Sequence, residues 1–280
     1  MANKLQDRYS ALVDAKLRYS LVQKDGAVWN NRYEGNPKAG AVKVPVRDTE
    51  VTVSAYDKAA GAEKSTAETS FLTVTIDKDY AVNEIIDGYD AEAVPDNLVA
   101  DRLDSAGYSL ALQMNTDGTT ELVTAGTTAK STAALTKETV YEAFVDARTT
   151  LSNNKVPTQG RFALVTPDTY ALLLKSSEFI KASDLGDEVT QSGAVGRVAG
   201  FTVYEDATLT GVKKGTASVE FVVGHPDWCC RIEEWQKDVH LQSLDGSGDY
   251  IGASAVQGRK IYAHKVTKAA AVLVKTAKAS

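Results

Sequence analysis

The chain has 280 residues, 43% hydrophobic and 24% charged, a composition with ample apolar material for a core and none of the bias of a disordered segment. Its net charge of −6 argues against a broad basic face for nucleic acid, and no run approaches the ~20 apolar residues that span a bilayer. Two adjacent cysteines, Cys229 and Cys230, cannot complete a zinc site and would close a disulfide only in a strained ring, so they are expected to be buried thiols. His225, His240 and His264 are scattered without metal-ligand spacing, so neither metal nor cofactor is expected. The start, Met1 to Leu5, lacks the apolar core of a signal peptide, which points to synthesis in the cytosol.

Leu5, Tyr9, Leu12, Val13, Leu17 and Leu21 recur at helical intervals across residues 3–22. They predict an amphipathic helix, packed on its own domain, or an arm lying on a neighbouring subunit. From Ala41 the period becomes two: Val42, Val44 and Val46 alternate with Lys43, Pro45 and Arg47, and Val51 and Val53 continue the pattern. Pro45 cannot donate a ladder hydrogen bond, which makes this an edge or irregular strand. Residues 56–61 (YDKAAG) form a tip, residues 62–70 are polar, and Phe71 to Ile76 return as a second strand. A lone hairpin is marginal in water, and this one has few large apolar residues near its end, so a partner surface is expected to cover it.

After Pro95 a helix is expected to run to about Met114, with Leu98, Leu103, Ala106 and Leu110 near one face and Gly107 as a weak point. The Thr-, Gly- and Ala-rich stretch from Thr116 to Ala134 predicts a linker and a domain boundary. Thr136 and Glu138 open a further helix along Val140, Phe144, Ala147 and Leu151, which Asn153 and Asn154 end. Arg161 to Val165 is then a short strand, and Thr166 caps a helix with Pro167 in its first turn and Tyr170, Leu173 and Leu174 buried. Gly193, Gly196 and Gly200 resemble a nucleotide fingerprint only superficially: they lead into the strand Phe201–Tyr204, whereas a dinucleotide-binding loop leads into a helix. The tail reads as strands: Val219 to Val223, Arg231 to Leu244, and a final pair, Arg259 to Val266 with Ala271 to Lys275, around a Thr267-Lys268 turn. Trp228 and Trp235 are expected to pack in the core or at an interface.

The order of these segments resembles the major capsid proteins of tailed double-stranded DNA bacteriophages, which have the Hong Kong 97-type fold. The residues that carry the resemblance are 161–167 (RFALVTP), 170–174 (YALLL) and 196–204 (GRVAGFTVY), with 42–46 (VKVPV), Tyr56, Asp57 and Gly61 in the hairpin. It implies an α+β chain divided into an N-terminal arm (1–36), an extended-loop hairpin (37–80), a peripheral domain with a spine helix (81–126), an axial domain (127–223) and the closing strands of the peripheral domain (224–280). It implies a structural protein that is not an enzyme and that self-assembles through pentamers and hexamers into the icosahedral shell of a virion, built in the host bacterial cytoplasm. Leu5, Tyr9, Leu12, Val44, Val46, Val51, Tyr56, Asp57, Lys58 and Phe71 become candidate subunit contacts. The implied partners are a separate scaffolding protein, since no long charged helical segment precedes the arm, with portal and decoration proteins and packaged DNA bound without sequence preference. Lys58 and Lys64, near the hairpin tip, are read as solvated and not as covalent cross-links. Two alternatives share some of these features: an encapsulin-like compartment enclosing a cargo enzyme, and a small α+β enzyme. For the latter the sequence offers no nucleophile–base motif, phosphate loop or metal set.

Overall fold

The computed structural model describes residues 16–33, 40–46, 50–59, 61, 62, 64, 66, 69–93, 97–176, 196–246 and 250–278. In chain order the elements begin with strands β1 (Ala41–Val46), β2 (Ser70–Thr75) and β3 (Lys78–Ile86), a short helix α1 (Gly88–Ala93) and a long one, α2 (Leu98–Ala125). Then come β4 (Thr127–Thr128), α3 (Val140–Asn153), β5 (Phe162–Val165), α4 (Pro167–Lys175), β6 (Arg197–Val198) and β7 (Phe201–Glu205). The chain closes with β8 (Lys213–Lys214), β9 (Ala217–Gly224), β10 (Cys229–Ser243), β11 (Ser254–Val266) and β12 (Val272–Ala277).

The larger sheet is mixed, in the order β4-β12-β9-β5-β7-β6 with β8 on the end of β9. Its central strands are buried on both faces, as a short all-apolar strand such as β5 (FALV) requires. The alternation decides which side chain goes where. Ala163 and Val165 join Phe221 and Val223 under α3 and α4, while Phe162 and Leu164 join Val222, Val272 and Val274 under α2 and Trp29. Phe144 of α3 stacks on Phe221 at 4.5 Å between ring centroids. A second sheet, β10-β11-β3, is antiparallel throughout. β1 and β2 form a separate hairpin in which Val46 faces Ser70 and Pro45 faces Phe71, so Pro45 sits on an edge.

The closing strands depart from expectation. β11 and β12 do not pair with each other: β11 lies between β10 and β3, whereas β12 crosses into the larger sheet between β9 and β4. The break is the 3-10 turn Ala269–Ala271, which redirects the chain where a tight hairpin was expected.

Helix α2 is also longer than its sequence suggests. At 28 residues it spans about 42 Å, packing its first half on Ile86 and Val256 and its second half on the larger sheet. The predicted linker from Thr116 is therefore helical as far as Ala125. Three threonines that ordinarily weaken a helix bond back to the preceding turn: Thr116 to Leu112 O (2.9 Å), Thr119 to Asn115 O (3.1 Å) and Thr120 to Thr116 O (2.9 Å). Burial of Leu122 and Val123 then overrides the poor local propensity. Gly118 is there for space. A methyl group at this position would stand 2.6 Å from Gln23 Oε1 and 3.0 Å from the Trp29 ring. Gly118→Ala should accordingly lower stability by ~1–2 kcal/mol, although alanine is the better helix former, because the overlap outweighs the propensity gain. Urea denaturation at neutral pH checks the sign.

The expected start of α4 and end of α3 hold, but α3 begins at Val140 behind Thr139, and the expected cap Thr136 lies in the turn before it. Thr166 Oγ1 accepts from the Thr169 amide at 3.3 Å with Pro167 in the first turn, and Asn154 follows the last residue of α3. Gly196 and Gly200 take positive φ at the turns around β6, with no helix after them; Gly193 lies outside the described residues. Three buried or half-buried cations satisfy backbone carbonyls at helix ends and in a loop. Arg161 donates to Pro157 O, Val156 O and Arg148 O behind α3, Lys214 to Val123 O behind α2, and Lys275 to Ser131 O and Ala133 O in the loop before α3. The thiols of Cys229 and Cys230 are buried, and burial pushes both above their ordinary range, that of Cys230 to about 11, which leaves them protonated and inert at neutral pH.

Candidate assembly surface

The first described residues follow α2 as an irregular strap. The helix expected over residues 3–22 is absent from residues 16–22, and Leu17 is fully exposed. Polar contacts hold the strap along α2 instead: Lys16 pairs with Asp101 and Arg18 with Asp104, both at 2.6 Å, and the Tyr19 amide donates to Tyr108 Oη. Further along, Gln23 bridges three elements. Its amide nitrogen donates to Thr119 Oγ1 (2.6 Å) and to Asp206 Oδ2 (2.8 Å), and its oxygen accepts from Trp29 Nε1 (3.0 Å). Asp206 is fully buried and takes the Thr208 amide and hydroxyl as well.

The strap ends in a clamp on β10. Arg231, 5% exposed, donates to Gln23 O and to Asp25 Oδ1, both at 3.0 Å, and to His264 Nε2 at 3.1 Å. Because Nε2 is the acceptor, the ring proton of His264 sits on Nδ1. That ring lies 4.5 Å from Trp29 and is buried, and burial, followed by the charges of Arg231 and Lys78, lowers its pKa to about 3. None of Gln23, Asp206, Arg231 or His264 was singled out from the sequence; the strap's polar residues carry no periodicity that would mark them.

The β1–β2 hairpin shows a fixed base and an uncovered end. Val44 and Val74 are buried against Ile232 and Ala263, so Val44, a candidate contact, turns toward its own chain. Val46 is half-buried. Beyond it Val51, Val53 and Tyr56 are 82%, 94% and 74% exposed, and Phe71, opposite Pro45 in the ladder, is 62% exposed. The tip is a closed turn as expected: Asp57 and Gly61 exchange backbone hydrogen bonds, Asp57 Oδ1 accepts from the Ala59 amide, and Gly61 has φ +79°. Asp57 and Lys58 are exposed on it. Val51 and Val53 were expected to prolong the strand, but residues 50–56 carry no strand pairing. Leu5, Tyr9 and Leu12 lie outside the described residues.

A second uncovered apolar group closes one end of the smaller sheet. Ile85, Tyr89, Tyr250 and Ile251 are 46%, 80%, 44% and 92% exposed. They surround a point where the backbones meet so closely that a methyl group on Gly88 would overlap Gly252 O. Trp235 is partly exposed on β10 with Arg259 over its ring, whereas Trp228 packs on His225 beside the larger core. The described residues include no group of three or more His, Cys, Asp or Glu placed to hold a metal ion, and no helix among them is long and apolar enough to cross a membrane.

Two sheets tied by one long helix, with a projecting hairpin, form the fold of known viral shells. The chain is similar over 98% of its length to a structure from Mycobacterium phage Che8, covering 97% of that chain at 19% identity with a TM-score of 0.79. It is similar to the capsid structure of cyanophage P-SCSP1u (98% and 93% covered, 15% identity, TM-score 0.80) and to the mature capsid of bacteriophage PhiM1 (97% and 91%, 14%, 0.73). No curated protein sequence matches it. These likenesses establish the Hong Kong 97-type fold. The family model described as phage capsid protein matches residues 84–273, and the chain belongs to that family. It is a major capsid protein, a structural subunit of the virion that assembles with copies of itself into a shell, and not an enzyme. The comparisons lend no support to the compartment or enzyme alternatives.

Proposed function

We propose that this chain forms the head of a tailed double-stranded DNA phage through pentamers and hexamers, with the hairpin of residues 37–80 as the extended loop that lies on an adjacent subunit. The observation that carries this reading is the contrast along the hairpin itself. Its base is buried at home, while Val51, Val53, Tyr56 and Phe71 are exposed, with no described residue of the chain covering them. The arm, residues 1–36, would add a second contact beyond the strap already held by α2. In this reading the lobe built on the larger sheet surrounds the five-fold and six-fold axes. That lobe would take in β12, which pairs in the larger sheet, as well as most of residues 127–223, and the closing segment would be shared between the two lobes. The exposed group around Ile251 and Tyr89 gives the smaller lobe a contact of its own. Obligate contacts of this kind bury ~2,000 Å² or more, and a closed shell needs only modest energy from each.

Assembly in the host bacterial cytoplasm would involve a separate scaffolding protein, then a portal and decoration proteins. The net charge of −6 would keep packaged DNA from adhering to the wall, so confinement and not attraction holds it there. The test is electron microscopy of the purified protein, alone and co-expressed with the scaffold. Pentamers, hexamers or shells are expected, and a monomer that never assembles under either condition would overturn the reading.

A further inference from the structure

The α3-covered face of the larger sheet carries opposite charge on its two flanks. On the β12 flank, α3 and the loop of residues 129–135 enclose a groove of about 440 Å³. Phe221, Leu273 and Ala147 form its apolar floor, and Lys275 holds the loop wall open through Ser131 O and Ala133 O. Glu142 and Asp146 stand exposed on its helical rim, and Lys130 on the loop rim. The two carboxylates are one helical turn apart, an arrangement that repels until a cation arrives. Lys275 does not serve, since it is already paired with Glu220 at 3.6 Å.

The opposite flank offers the cations. Arg148 leaves the other side of α3 and lies over Gly200, its guanidinium 3.6 Å from where a methyl group would sit. Arg197 is exposed on β6, three residues away along the chain. Among the described residues neither arginine forms an ion pair. The turn that joins β6 to β7 has only two residues, Ala199 and Gly200, both with positive φ (47° and 86°), the narrow hairpin turn that matches strand twist. Ala199 thus holds a conformation that L-residues seldom adopt, which keeps the turn slim at a local cost. Sheet order separates β12 from β6 by four strand spacings, roughly 19 Å.

We propose that the β6–β7 turn of one copy, with Arg148 and Arg197, docks into the groove between α3 and residues 129–135 of the next copy, opposite Glu142 and Asp146. The proposal rests on the shell reading above and specifies one of its contacts. The occupant is a second copy because groove and turn sit on opposite flanks of one lobe and carry opposite charge. A contact between two different surfaces of the same chain leaves each copy one of each to offer, and it closes into a ring when the rotation allows. Charge pairing across the contact sets its register and speeds encounter, and placing like charges there opposes it.

The experiment is charge exchange. Glu142→Lys with Asp146→Lys, and separately Arg148→Glu with Arg197→Glu, should each reduce rings and shells seen by sedimentation and electron microscopy at least about tenfold. The variant carrying all four substitutions should restore assembly to within about twofold of the unaltered chain. The four side chains are exposed, and thermal melting of each variant checks folding. Should a reversed pair fail to fold, the neutral pairs Glu142→Gln with Asp146→Asn and Arg148→Gln with Arg197→Gln replace it, and their assembly must lose part of its dependence on salt. Folded variants that assemble like the unaltered chain, or a folded four-fold variant that fails to recover, overturn the docking and leave the shell reading intact. An unaltered chain that assembles under no condition overturns both.

Discussion

Replacing residues 47–69 by a two-residue Asn-Gly turn abolishes shell formation and leaves a folded subunit. Val46 and Ser70 face each other across the hairpin, so the short turn closes the β1–β2 ladder without disturbing its register. The contacts of Val44 and Val74 with Ile232 and Ala263 lie on the body side of the cut and persist. What leaves is Val51, Val53 and Tyr56, side chains that make little contact at home. Each is worth ~1.5–3 kcal/mol when buried on a neighbour, so removing three takes roughly 5–9 kcal/mol from every such contact. A shell cannot absorb that loss at each subunit. Circular dichroism and urea denaturation should show a body within about 1 kcal/mol of the full chain, while electron microscopy with the scaffold present shows no closed shells of normal size. Normal shells from the shortened chain would refute the hairpin's role.

Acid should loosen the subunit from the strap side. The folded chain keeps His264 neutral down to about pH 3, whereas in the unfolded chain the imidazole takes its proton near pH 6.5. Between those values the unfolded state binds more protons, so stability is complete above pH 6.5 and falls as the pH falls. The limiting slope of ~1.4 kcal/mol per pH unit makes the loss about 3 kcal/mol by pH 4. Every group around the ring acts in the same direction. Arg231 donates to it from β10 and Lys78 adds charge from β3, while Trp29 and the Tyr262 ring, at 5.4 Å, keep water away. Carboxylates titrate over the same range, so the comparison is with His264→Gln, whose amide oxygen can still accept from Arg231. Urea midpoints from pH 7 to 4 should fall by one proton's worth less in that variant. Parallel curves would show that His264 does not govern the acid response.

The parts of the fold legible in the sequence are those where one local rule acts alone. Thr166-Pro167 before Tyr170 and Leu173 specifies a capped helix start, and the four apolar residues of β5 specify a strand buried on both faces. The hairpin was readable from alternation at Val42, Val44 and Val46 and from its Asp57–Gly61 tip. Where two rules conflict, the local one misled. Residues 116–125 have loop-like composition, yet α2 continues through them because its threonines are satisfied along the helix and Trp29 needs the space at Gly118. β3 was missed although Tyr80, Val82 and Ile86 alternate, because Lys78, Asp79, Asn83 and Glu84 make the stretch look like a loop. The partition of β11 and β12 between two sheets depends on non-local pairing that no short window reveals. Of the candidate contacts on the hairpin, Val51, Tyr56, Asp57, Lys58 and Phe71 are exposed, whereas alternation could not tell that Val44 is buried against its own chain. The Gln23–Asp206 and Arg231–His264 networks were not legible either, since they join residues 183 and 33 positions apart.

The cations that close the ends of α2 and α3 set a geography for unfolding. Arg161 and Lys214 direct their charge at carbonyl oxygens, which have no proton to take up as the solution turns acidic. At Arg161 and Lys214 the larger lobe thereby offers acid nothing to protonate, whereas the seam held by Arg231 and His264 does. Acid then acts as a selective solvent for one joint: residues 16–30 should lose amide protection first, while β5, β9 and α3 hold theirs. A subunit with that ordering can release its arm and keep its shape.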